Sequence, residues 1–122
     1  MHALLLTWDL SDSKPGTVAE LRKYVAQESW GRYRDVPGLV EKVWFSDEST
    51  MVFGAFYLWE TTLALERELA DPHSVEELTG VKPVVQRFDV DAIQEGLHSV
   101  TNRFAAGKAW SADAGRLLAA NS

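Results

Sequence analysis

Lys42 carries the charge in this chain that is hardest to place. It stands in Val40-Glu41-Lys42-Val43-Trp44, where strand alternation puts it on one side with Val40 and Trp44. An ammonium there is a surface lysine of an edge strand, half of an ion pair, or a group that meets a ligand. Its methylenes can also lie along Trp44 with the charge in water. Arg87 is a second cation in a strand-like run, with Glu41 or Asp89 as its ordinary partner at a rim. Tyr57 offers a hydroxyl within an aromatic run that ends at Trp59. Asp9 and Glu41 are carboxylates available as a base, although no neighbour marks either. His2, His73 and His98 show neither HxH nor HExxH spacing, so no metal site is expected. There is no phosphate loop, GxGxxG or GxSxG, which leaves nucleotide binding and the hydrolase elbow without local support.

The elements that would carry these groups follow from periodicity. HALLLTWDL reads as a first strand and SDSKPG as a loop. Thr17 and Glu20 then have capping-box spacing, and Val18, Leu21 and Val25 recur as one helical stripe with Ala26, Trp30 and Tyr33 as a second. Pro37-Gly38 ends that helix. Two apolar runs from Leu39 to Glu60, split by the polar SDEST, predict a β-hairpin. Thr61 and Thr62 can cap a second helix bearing Leu65 and Leu69, which Asp71-Pro72 interrupts. Ser74 restarts it with a second capping box, Gly80 ends it, and KPVVQRFDV is a fourth strand.

The order βαββαβ predicts an α+β, ferredoxin-like domain over residues 1–91, with a four-stranded antiparallel sheet and both helices on one face. Residues 92–122 form an extension. Ile93, Leu97, Val100 and Phe104 make one apolar stripe there, which predicts a third helix from Asp91 to near Gly107.

Composition narrows the partners. The net charge of -6, with no basic stripe, argues against nucleic acid and anionic membrane surfaces. The absence of cysteine excludes disulfides and thiolate chemistry. The N-terminal apolar run is short and lacks a basic flank, so neither a signal peptide nor a spanning helix is expected, and the default location is cytoplasmic.

In the hairpin, alternation separates Leu39, Glu41, Val43 and Phe45 from Val40, Lys42 and Trp44. An even loop would set Trp44 opposite Phe53 and Lys42 opposite Ala55, so that Lys42, Trp44, Tyr57 and Trp59 line one face. Both faces are largely apolar, and two helices cover only one. A second subunit packed sheet to sheet is the expected cover, with the C-terminal helix as the other candidate.

VPGLVEKVWFSDESTMVFGAFYLWE, followed by a helix and then VVQRFDV, resembles the YdhR-like monooxygenases of the dimeric α+β barrel superfamily, which includes the antibiotic-biosynthesis monooxygenases. The resemblance rests on Pro37-Gly38, the Lys42-x-Trp44 pair, the acidic hairpin turn, Tyr57-Leu58-Trp59 and Phe88-Asp89-Val90, over residues 2–91. It implies a homodimer through the sheets, a pocket between each sheet and its helices, and oxidation of an electron-rich phenol or polyketide-like ring without cofactor. In that chemistry Lys42 would hold the substrate anion and Tyr57 would donate or relay a proton. Trp44 and Trp59 would hold the ring, and Arg87 would be a second cation. A non-catalytic small-molecule-binding or dimerisation module, or an oxygen-independent isomerase or cyclase, would use the same pocket.

Overall fold

The computed structural model describes residues 1–71, 73–97 and 107–110. Its elements are β1 (His2–Asp9), α1 (Thr17–Tyr24), a π-helical turn (Val25–Ser29), α2 (Trp30–Tyr33), β2 (Leu39–Asp47), β3 (Val52–Trp59), α3 (Thr62–Ala70), α4 (Ser74–Thr79) and β4 (Val84–Asp89). Every pairing is antiparallel and the sheet order is β2-β3-β1-β4. This is the expected ferredoxin-like α+β fold. No helix among the described residues is long and apolar enough to cross a membrane.

The sheet folds around its two central strands. Leu4, Leu6 and Trp8 of β1 and Phe53, Ala55, Tyr57 and Trp59 of β3 turn to the helices and are buried. Val18, Leu21 and Val25 meet them from the first helical stretch, and Ala64 and Leu65 from α3. Each such side chain stabilises the fold by roughly 1.5–3 kcal/mol. Gly38 allows α3 to sit close: its φ is 83°, and a Cβ there would lie 2.6 Å from that of Ala64.

Two of the three expected caps form differently. Thr61 does accept from the Ala64 N–H at 3.1 Å and starts α3. The Thr17 hydroxyl instead donates back to the Lys14 carbonyl at 2.6 Å, and left-handed Gly16 holds the α1 N-cap. Ser74 also forms no capping box, because its hydroxyl accepts from Tyr24 and Arg32 on the neighbouring helical stretch.

In the hairpin Lys42 pairs with Tyr57 and Trp44 with Ala55, two residues away from the expected register. A shift of two preserves the faces, so Lys42, Trp44, Tyr57 and Trp59 share the helix-covered side. A bulge between Leu39 and Glu41 corrects one detail. Its extra residue lets Leu39 pack on the core, while Val40, expected beside Lys42, is 45% exposed.

The predicted third helix does not start at Asp91. Residues 91–97 are not helical, and Leu97 is 93% exposed. Val100, Phe104 and His98 lie outside the described residues. Ala109 packs against the core and Trp110 stands edge-on to Trp30 with centroids 5.0 Å apart, so residues 107–110 sit on the helix side.

Candidate functional site

On the helix-covered face the hairpin delivers Lys42 into a box of ring faces. Its Nζ lies 3.1 Å from the Tyr33 ring centroid and 4.5 Å from those of Trp44 and Tyr57. Burial pushes the Lys42 amine down to about 7, Glu68 opposes that depression and Arg32 adds to it. The three rings also oppose it, since cation–π attraction favours the ammonium. The lysine of the opening question is thus neither an edge-strand surface group nor half of a direct ion pair. It is a half-buried lysine whose amine lies among three rings, with its pKa drawn down to about 7.

The helices contribute a polar chain next to it. The Tyr33 hydroxyl donates to Glu68 Oε1 at 2.5 Å, and His73 Nε2 lies 3.1 Å from the same oxygen. The His73 and Glu68 side chains are only 12% and 10% exposed. Burial pushes the Glu68 carboxyl up, but hydrogen bonds from His73 and Tyr33, with the charge of Lys42, outweigh it and hold Glu68 below its ordinary value. A carboxylate only accepts, so His73 Nε2 carries a proton, and in the neutral imidazole Nδ1 is then the nitrogen with the lone pair. Burial, followed by the bond to Glu68, raises Tyr33. Burial, followed by the Glu68 charge, raises Tyr57. Both phenols stay protonated at neutral pH. An ionised acid orienting a histidine, beside a buried amine, is the arrangement by which a protein positions a base.

Two spaces flank this chain. One, of about 20 Å³, is lined by Lys42, Trp44, Tyr57, Tyr33 and His73 and has room for about one water. The other, of about 300 Å³, lies on the far side of Tyr33 and His73 and is lined by Trp59, Glu68, Arg32, Arg67 and Ser74. Its size is at the lower end of small-ligand pockets. Trp8 lines the first space and Trp59 the second, and both hold a buried indole N–H without a hydrogen-bond partner among the described residues.

The structure therefore brings Lys42, Trp44 and Tyr57 together and stacks Tyr57 on Trp59 at 5.7 Å. Arg87 lies apart from both spaces, on an edge strand, 2.7 Å from Glu66 rather than from Glu41 or Asp89. Neither suggested base reaches the site. Asp9 is exposed and accepts from the Ser11 N–H, and Glu41 turns to the opposite face. Glu68, His73 and Tyr33 take that place, although alternation in the strands says nothing about them. A signal for Glu68 was present: it falls three and four residues after the buried Leu65 and Ala64, on the apolar stripe of α3. The π-helical turn directly before Trp30 and Tyr33 is the other local mark, since such turns collect at functional sites. Among the described residues no three His, Cys, Asp or Glu side chains gather as a metal-ligand set.

No protein-family model and no curated protein matches the chain. Solved structures do. A presumed antibiotic biosynthesis monooxygenase from Deinococcus radiodurans has a TM-score of 0.55 at 17% identity, over 80% of this chain and 99% of that one. The ActVA-Orf6 monooxygenase of Streptomyces coelicolor, solved with nanaomycin D, has a TM-score of 0.58 at 19% identity, over 78% and 92%. NE2512 of Nitrosomonas europaea, a protein of unknown function, has a TM-score of 0.60 at 15% identity, over 78% and 93%. The fold of this chain is the one these three structures share, and at such identities it is the fold that the likeness establishes.

Proposed function

We propose that the chain is a cofactor-independent oxygenase that takes a small electron-rich aromatic substrate into the cleft between sheet and helices. The observation that carries this reading is the buried Tyr33–Glu68–His73 chain beside the Lys42 amine. His73 Nδ1 accepts the phenolic proton, and Glu68 stabilises the imidazolium that results. Lys42, behind the Tyr33 ring, supplies the positive charge that keeps Glu68 ionised and favours a substrate anion. Tyr33 and Trp59 furnish the aromatic walls of the larger cleft, while Trp44 and the protonated Tyr57 line the smaller space beside it. A deprotonated ring conjugated to a CH₂ group reduces dioxygen directly: a C–O bond forms, the hydroperoxide loses water, and CH₂ with O₂ becomes C=O with H₂O. The protein's part is to take the proton, hold the anion and exclude bulk water. That ActVA-Orf6 was solved with the ligand nanaomycin D is in keeping with a small-molecule substrate.

The same reading includes a homodimer. Val43, Phe45, Val84 and Phe88 are between 38% and 62% exposed on the face without helices. The described part of the C-terminal extension that packs, residues 107–110, lies on the other side. A second sheet is the cover of matching shape.

Oxygen uptake tests the function. With the anthrone dithranol as probe, the protein is expected to consume one dioxygen per ketone formed and to be inactive without oxygen. Product formed under anaerobic conditions would show an isomerase or cyclase. A shifted melting temperature without turnover, across dithranol and a panel of hydroquinones, would show a binding module and end the oxygenase reading.

A further inference from the structure

The larger cleft contains polar groups that the proton-transfer chain does not use. Arg32 reaches it from α2 and Arg67 from α3, and neither guanidinium lies within 4 Å of a carboxylate among the described residues. The acids of the same cleft are differently placed. Glu68 Oε1 is already engaged by Tyr33 and His73, and Asp71 is an exposed residue at the end of α3.

Ser74 sharpens the asymmetry. Its Oγ accepts from the Tyr24 hydroxyl at 3.0 Å and from Arg32 Nη2 at 2.9 Å. With those donors in place, its own proton remains to be given, and the described residues offer it no acceptor. Trp59, 1% exposed, adds an indole N–H with no partner. The unused groups of the cleft are mostly donors: the two exposed guanidinium forks, the half-buried Ser74 hydroxyl and the buried Trp59 indole, against one exposed acid, Asp71, at the mouth. The Trp59 indole is the buried one among these donors; a buried donor is ordinarily paired, and one left over at a cavity wall marks what the cavity is built to hold. Arginine forks match a planar carboxylate, with two parallel N–H···O bonds.

From Arg32, Arg67, Ser74 and Trp59 at one cleft we infer a carboxylate subsite: the substrate is an aromatic acid, its ring against Tyr33 and Trp59 and its carboxylate toward the two arginines. This rests on the cleft being the substrate site, and it narrows the substrate from any electron-rich phenol to one carrying an acid group. A volume of about 300 Å³ suits an acid of two or three fused rings.

The probes are 1-hydroxy-2-naphthoate and 1-naphthol, which differ only in the carboxylate. Binding is followed anaerobically by tryptophan quenching and calorimetry, so that the result does not depend on turnover. The acid is expected to bind at least tenfold more tightly than the naphthol, with a preference that weakens as salt rises. Arg32→Gln and Arg67→Gln should each remove several-fold of that preference, and the double variant all of it, while naphthol affinity and the melting temperature hold. Equal affinity for the two probes overturns the subsite, as does a preference that survives in the double variant or a failure of the acid to bind at millimolar concentration. Acid-selective binding without oxygen uptake would instead keep the subsite and sink the oxygenase reading. Oxygen uptake with equal affinities would do the reverse.

Discussion

The two faces of one four-stranded sheet have opposite chemistry. The helix-covered face buries a lysine, a glutamate, a histidine and two tyrosine hydroxyls among aromatic rings. The open face exposes Val43, Phe45, Val84 and Phe88, and its central glycine, Gly54, lies directly under the Phe45 ring. Burying ionisable groups costs stability unless they are paired, and even then a packed apolar core is often the more stable choice. A protein that keeps polar groups where they are costly, and apolar groups where they meet water, shows where its work is done. On the proposed reading the first face serves a reaction and the second a neighbour.

That contrast can be broken from either side. On the open face, Phe45→Glu places a carboxylate in the centre of the proposed dimer contact. It should weaken the dimer a hundredfold or more, as an unpaired buried charge costs about 3–5 kcal/mol. Sedimentation would show the wild type as a dimer and the variant as a monomer at micromolar concentration. A wild-type monomer there would remove the assembly role of this face.

On the covered face, Lys42→Met replaces an amine by an apolar chain of similar length. Oxygen uptake should fall about tenfold while stability near pH 7 rises by roughly 1–3 kcal/mol, the usual sign of a functional group held at a structural cost. The sign of the pH dependence follows from the Lys42 pKa of about 7, which lies below its ordinary 10.5. Between those two values the unfolded chain binds the extra proton, so the wild type gains stability as pH rises through the window. The advantage of the methionine variant should therefore be largest at pH 7 and below, and shrink toward pH 10. Urea unfolding of both proteins at pH 7 and pH 9.5 measures it, and an advantage that grows with pH would contradict the burial of the amine.

Arg87→Ala gives the smallest effect. Its bond to Glu66 is exposed on both sides, and such pairs contribute about 0–1 kcal/mol. Stability should change by less than about 1 kcal/mol and oxygen uptake by less than a factor of two. A large loss of turnover would restore Arg87 to the site.

Much of this was legible in the sequence, and the rest was illegible for physical reasons. Alternation placed Lys42, Trp44, Tyr57 and Trp59 together even though the register was two residues off, because a shift of two leaves side chains on their faces. It could not place Val40, because a bulge inserts one residue and nothing in Leu39-Val40-Glu41 announces it. The same reading missed Glu68 and His73, which belong to a different element and join Lys42 only through the tertiary fold. Ser74 shows the limit of local rules. Its capping-box spacing was real, yet Tyr24 and Arg32 take its hydroxyl from fifty and forty-two positions away in the chain. Arg87 failed for a related reason, since its partner Glu66 lies on a helix and not on the strands where alternation looks.

The central claim is that the covered face performs proton transfer, and His73→Ala tests it most directly. Oxygen uptake with dithranol should fall about a hundredfold or more, the usual contribution of a positioned base, while circular dichroism and sedimentation match the wild type. Turnover at the wild-type rate in a folded His73→Ala protein would contradict the account, because His73, held by Glu68 at the cleft wall, is the base the account assigns to the substrate proton.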